Sequence, residues 1–331
     1  MGFGLLFVML LICASIFVNG WTDAPNALTT VVSTRVLTPR KAVILAAIFN
    51  LLGVLLMGTA VAETITKIIA LEPGKDGLVT LASAQIAIVS WAVGAWRFGI
   101  PTSESHALIA GLTGAALANG GLASVSWVEW QKVLLGLGIS SILGFVSGWL
   151  MTVAVSKTFS RVNRHTANRF FSIGQVISAA AMAFSHGAQD GQKFVGIWAF
   201  ALMLGGVMAP GEMTIPLWVM VFCSVLMAIG TSVGGYRIIK TMGIDMVKIE
   251  KYQGFSAEVA ASACMIGATI FGIPLSTTNT KGTAIMGAAA ARRLSNVNWG
   301  VVNEMFLAWI LTFPACALIG YLMALLMHTI F

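Results

Sequence analysis

The sequence predicts an all-α polytopic membrane protein, built as two inverted repeats of about five segments each, with broken or re-entrant helices. Three observations predict it. The 331 residues are 58% hydrophobic and only 9% charged, with a mean hydropathy of +0.90; a soluble domain carries about 25% charged residues. The apolar runs are long rather than short and alternating, which selects helices over a barrel. The chain also echoes itself. Gly20 to Asp23 and Gly187 to Asp190 share Gly-x-x-Asp, and Gly99-Ile100-Pro101-Thr102-Ser103 is echoed by Gly272-Ile273-Pro274-Leu275-Ser276. Gly114-Ala115-Ala116 returns as Gly287-Ala288-Ala289, and Val125-Ser126-Trp127 as Val297-Asn298-Trp299. Order and spacing agree across the halves, the mark of an internal duplication.

Ten hydrophobic segments follow: about 3–34, 41–62, 78–96, 100–118, 131–156, 169–208, 215–234, 254–271, 273–291 and 299–328. The first lies in a 34-residue apolar region, Met1 to Thr34, too long for one plain crossing of about 20 residues. Asn19, Gly20, Asp23, Pro25 and Asn26 interrupt it. Such a break at membrane depth is tolerated only where protein or water lines it. No Lys or Arg precedes the run, which argues against a signal peptide. The sixth segment is interrupted by Ser185 to Lys193. The segments starting at 100 and 273 open on Gly-Ile-Pro, so each is expected to begin with a non-helical piece.

The basic residues fall in alternate loops: Arg35, Arg40 and Lys41; Arg97; Lys157, Arg161, Arg164 and Arg169; Arg237, Lys240, Lys248 and Lys251; Arg292 and Arg293. The opposite loops hold Glu63, Lys67, Glu72, Lys75, Asp76, Glu129, Lys132 and Glu212. If each segment crosses once, the basic loops are cytoplasmic and both termini extracytoplasmic. This clustering, not a nucleic acid partner, accounts for the +7 charge. Five crossings per half invert the second half relative to the first, an architecture of secondary transporters. The expected division is residues 1–157, a short basic linker 158–168, and residues 169–331. The four cysteines lie far apart in apolar segments and read as free thiols.

Asp23 and Asp190 occupy matching interruptions. Two symmetric intramembrane acids are costly for capping alone, so they are read as cation ligands or proton acceptors. Ser103, Ser105, Ser276, Thr277 and Thr278 follow a proline in each half. Hydroxyls before a helix, with its free N–H groups behind them, make an anion cradle. Asn26 and Gln192 are candidate donors, and Lys193 and Lys281 contact the anion or balance the aspartates. Glu104, set between two anion ligands, must be protonated, cation-bound or turned away. His186 reads as a packed, hydrogen-bonded histidine, and Glu258 and Glu304 as intramembrane acids with no repeat partner. A carboxylate in an anion pocket favours an oxyanion that still carries a proton, which points to phosphate rather than sulfate. No His-Glu-x-x-His, Walker sequence or nucleophile triad is present, so no enzyme is expected.

These residues resemble a known family. Asn19 to Ala27 is similar to the Asn-Gly-x-x-Asp-x-x-Asn-Ala signature of the inorganic phosphate transporter (PiT) family, and Ser185 to Lys193 to its second-half signature. Gly272 to Thr278, Gly230 to Tyr236 and Arg35 to Arg40 resemble family elements too. The resemblance covers essentially the whole chain. It implies import of inorganic phosphate by symport with Na+ or H+, through alternating access in a cell-membrane homodimer with no cofactor. It implies that Asp23, Asn26, Ser103, Ser105, Asp190, Ser276, Thr277 and Thr278 lie at the substrate and ion sites, with Asp23 and Asp190 holding Na+ if sodium is the coupling ion. The sequence departs from the family at Thr22 (usually His), Glu104 (Ser or Thr), Gln189 (Asn) and Asn279 (His). Since some relatives carry sulfate, a sulfate or related oxyanion permease is the alternative.

Overall fold

The structure is a computed structural model that describes residues 2–23, 25–69, 71–209 and 215–330. Ala24 of the first interruption and Glu212 of one expected acidic loop lie outside the described residues. The described chain is helical, with only two isolated β-bridges, Ile69 to Val125 and Val247 to Val297.

The first half runs α1 (Gly2–Thr22), α2 (Pro25–Ser33), α3 (Pro39–Leu56), α4 (Ala60–Lys67), α5 (Lys75–Arg97), α6 (Glu104–Gly120) and α7 (Trp127–Thr158). The second runs α8 (Arg164–His186), α9 (Gln192–Leu204), α10 (Leu217–Gly234), α11 (Tyr236–Lys240), α12 (Lys251–Ile270), α13 (Thr277–Ala290) and α14 (Trp299–Ile330). The two lists match element for element. The two bridges also sit at matching places, each tying the segment before α5 or α12 to the start of α7 or α14.

The two interruptions take different local forms. Pro25 opens α2 at its first position, where a missing N–H costs nothing, and Asp23 sits at the break. The second half has no proline there. Instead Gly187–Gly191 form one wide π turn, and the helix runs on into α9 with Asp190 in the bulge. Such bulges recur at functional sites.

The Gly-Ile-Pro segments are non-helical, as their prolines and glycines require. Gly99 and Gly272 have φ of +72° and +64°, a region closed to most side chains. Each segment turns the chain so that α6 runs back along α5, and α13 along α12. Ser103 then caps the His106 N–H and Ser276 the Asn279 N–H.

Packing is largely across the halves: α1 on α10, α3 on α8, α6 on α14 and α13 on α7. Small residues permit it. A Cβ on Gly20 would lie 2.0 Å from the Met227 carbonyl, and one on Gly187 2.1 Å from that of Asn50. Large apolar side chains such as Leu135, Ile142, Ile310 and Leu322 face outward, while polar side chains are buried. That distribution suits lipid as the outer solvent.

Six helical spans are long and apolar enough to cross a membrane among the described residues, and a seventh if the bent pair α10 and α11 counts as one. The other expected segments are helical but more polar: α8 begins with basic residues, and α12 and α13 bury Glu258, Thr277, Thr278, Asn279 and Lys281. The four cysteines are free.

Candidate functional site

The break before α2, the π turn and the Gly-Ile-Pro tips of two helical hairpins, α5–α6 and α12–α13, meet inside the protein. Asp23, Asn26, Ser105, Asp190, Lys193, Thr277 and Thr278 are each no more than 2% exposed. Asp23 Oδ1 accepts from the Asn26 amide and the Thr278 hydroxyl. Thr277 Oγ1 lies 3.2 Å from Asp23 Oδ2 and 2.9 Å from Asp190 Oδ2, so it bridges carboxylates from the two halves. Lys193 Nζ donates to Asp190 Oδ1 at 2.6 Å, Ser105 Oγ at 2.6 Å and the Leu275 carbonyl at 2.7 Å. An ammonium has three protons, and all three are used. Lys193 is therefore held in place inside the protein.

The acceptors outnumber the protons. A hydroxyl carries one hydrogen, so Thr277 cannot donate to both carboxylates at once. Thr278 is in the same position, since its oxygen also lies 3.1 Å from the Thr102 carbonyl. Asn26 Oδ1 is buried with no partner. Ligand atoms of Asp23, His186 and Asp190 all lie within 4.8 Å of one another. Oxygens that outnumber the protons available to them have lone pairs left for a hard cation or a further proton.

The structure therefore joins Asp23, Asn26, Ser105, Asp190, Lys193, Thr277 and Thr278 in one network. Ser103 and Ser276 lie at its edge and bond to each other at 2.8 Å. Gln192 stands apart: its carbonyl oxygen accepts from the Val61 N–H at 3.3 Å, and its Nε2 has no partner. Lys281 is drawn to Glu258 rather than to the aspartates. Glu304 is exposed.

The four departures from the family pattern gain physical meaning. Thr22 and Glu104 touch each other, with the Thr22 hydroxyl 2.6 Å from Glu104 Oε1. Glu104 Oε2 is buried and unpartnered. Gln189 does not reach the network; it ties down the second hairpin tip, reaching Thr269 Oγ1, the Ile273 carbonyl and the Leu275 N–H. Asn279 accepts the Ser276 hydroxyl at 2.9 Å and so supports that cap.

Three contributors escaped the sequence reading: Asn50, Thr102 and Leu275. Asn50 places its Oδ1 3.2 Å from His186 Nδ1, and His186 Nε2 stands 3.3 Å from Asp190 Oδ2. His186 is packed and hydrogen-bonded as expected, yet it also borders the carboxylates. A lone Asn in an otherwise apolar segment was the available signal. Thr102 and Leu275 act through main-chain carbonyls, which no side-chain pattern reveals.

Residues 19–320 match the model of the phosphate transporter family. A probable low-affinity inorganic phosphate transporter of Bacillus subtilis is 37% identical over 331 residues, covering 99% of this chain and 98% of its own. Another from Rhizobium meliloti is 41% identical over 307 residues, covering 92% and 91%. A solved structure described as the sodium-dependent phosphate transporter superposes with a TM-score of 0.89, covering 99% of this chain and all of that one; at 22% identity it establishes a shared fold. These relatives are transporters, in agreement with the expectation that the chain is not an enzyme.

Proposed function

The chain belongs to the phosphate transporter family, and from that membership we propose that it carries inorganic phosphate into the cell together with a cation. The observation that carries this reading is the charge and proton count of the buried network. Asp23, Asp190 and Lys193 sum formally to −1, before Glu104 is counted. A phosphate dianion would bring the site to −3. Burying such a charge uncompensated is prohibitive, so phosphate enters only with cations that neutralise it.

The shared Thr277 proton marks where a cation fits, between Asp23 Oδ2 and Asp190 Oδ2. Asn26, Ser103, Ser105, Ser276, Thr277 and Thr278 supply groups for the anion, with Lys193 as its fixed countercharge. The free helix N–H groups behind Ser103 and Ser276 suit an anion. Sodium is the favoured partner, because the donors are hard oxygens and a structural neighbour is described as sodium-dependent. Glu104 is the residue that would admit protons instead.

The matching element order supports two inverted repeats, residues 1–157 and 169–331, that rearrange about the network to expose it alternately. In this reading both termini are extracytoplasmic, and two copies assemble in the cell membrane.

Radiolabelled phosphate uptake into proteoliposomes tests the function. An inward sodium gradient in one set and a proton gradient in another name the ion. Uptake driven by sodium and untouched by excess sulfate is the expected result. Inhibition by sulfate would widen the substrate to oxyanions generally, and absence of uptake under both gradients would refute the reading.

A further inference from the structure

A second polar cluster lies between the halves, outside the central network. Glu258 of α12, Lys281 of α13, Thr30 of α2 and Ser178 of α8 converge there, none more than 2% exposed. The Thr30 and Ser178 hydroxyls each donate to one Glu258 oxygen. Lys281 is poorly satisfied by comparison. Its Nζ donates to Thr30 Oγ1 at 3.2 Å and stands 3.8 Å from Glu258 Oε1, beyond hydrogen-bond length. Lys193, equally buried, has three acceptors within 2.7 Å.

Gln175 of α8 adds a second unused donor. Its Oε1 accepts from Thr34 at 2.8 Å, but its Nε2 has no partner although the residue is fully buried. Gly254 makes the room for it. A Cβ there would lie 2.2 Å from Gln175 Nε2 and 3.5 Å from Thr30 Cβ. This cluster has buried donors to spare, the reverse of the central network. Unmet buried donors are costly unless an acceptor visits them.

The position of the cluster is defined by three helices. Along α2, Asn26 belongs to the central network, Thr30 to the cluster, and Ser33 lines a vestibule of about 560 Å³. Along α13, Thr278 is followed one turn later by Lys281. Along α12, Glu258 lies in the cluster and Gln253 lines the vestibule. Arg35, Lys248 and Arg292 line that vestibule too, with Glu250 the only acid among its lining residues. The cluster thus stands between the central site and a basic opening.

We propose that Lys281 and Gln175 form a transit site for the transported oxyanion, between the central network and the vestibule, and that the Glu258 carboxylate beside it is the countercharge to Lys281 when no anion is there. The proposal rests on the phosphate reading above. A carboxylate and a phosphate present similar oxygens to an ammonium and an amide. An arriving phosphate takes the Lys281 and Gln175 donors, while Glu258 keeps the Thr30 and Ser178 hydroxyls. The exchange leaves no bare ammonium inside the membrane.

Equilibrium binding of radiolabelled inorganic phosphate to the purified full-length protein tests this. The unaltered protein is expected to bind one phosphate. Glu258→Ala removes that carboxylate and is expected to bind two, and adding Lys281→Gln returns the count to one. A purely structural ion pair predicts one in all three. In proteoliposomes, Lys281→Gln is expected to hold the central Kd within about threefold while slowing uptake about tenfold or more, with partial recovery in Lys281→Arg. A single phosphate on Glu258→Ala, or wild-type uptake by Lys281→Gln, overturns the proposal. Should Glu258→Ala yield no folded protein, Gln175→Leu leaves the ion pair in place and carries the test: slow uptake with unchanged Kd supports the transit site, and wild-type uptake overturns it. An unaltered protein that binds no phosphate would instead refute the substrate reading.

Discussion

Replacing Thr277 by Val probes the charge argument with the least change of shape. The hydroxyl lies within hydrogen-bond length of both central carboxylates, at 3.2 Å from Asp23 and 2.9 Å from Asp190. Its single proton satisfies one of them, and its oxygen is a ready ligand for a cation held between them. A hydrogen bond to a charged group contributes about 1.5–3 kcal/mol. At about 1.4 kcal/mol per tenfold, the half-saturating cation concentration should rise roughly tenfold to a hundredfold. The assay is phosphate uptake into proteoliposomes at saturating phosphate, with the driving cation varied over several decades. Thr277→Ser keeps the hydroxyl and should stay within about threefold of the original. Melting followed by intrinsic fluorescence confirms that both variants are folded. If Thr277→Val shows the unaltered cation dependence, no cation is held between the two aspartates and the charge argument fails.

Asp23→Asn or Asp190→Asn should abolish coupled uptake while the protein still inserts; uptake at the original rate in either variant would remove that carboxylate from the mechanism. Gly20→Ala places a methyl carbon against the Met227 carbonyl, and overpacking of about 1–3 kcal/mol should lower the melting temperature and the yield of monodisperse protein. Unchanged melting would mean that α1 and α10 part easily. Gln189→Leu leaves the Leu275 N–H and the hairpin tip without their buried partner. A cost of about 1–3 kcal/mol should appear as lower stability and slower turnover, with little change in the apparent affinity for phosphate; a large loss of affinity would instead place Gln189 at the substrate.

The sequence by itself determined the helical membrane class, the two interruptions, the paired hairpin tips and most of the central residues. These are local properties. Apolar length, a proline that cannot donate, a glycine that accepts positive φ and an acid that lipid rejects all act within a few neighbours. The sequence also singled out Thr22 and Glu104 one at a time, as departures from the family pattern.

Only the tertiary structure decided who meets whom. Thr277 reaches Asp23 across 254 residues, Thr22 reaches Glu104 across 82, and Lys281 finds Glu258 and Thr30 rather than the aspartates. Gln189 and Gln192 lie three residues apart, yet one ties down the second hairpin tip and the other bonds the α4 backbone. Nothing in their spacing distinguishes them. Partner choice at that range follows from how whole helices pack, through backbone contacts at glycines and carbonyls freed at helix ends, and those depend on every element at once rather than on any window of sequence.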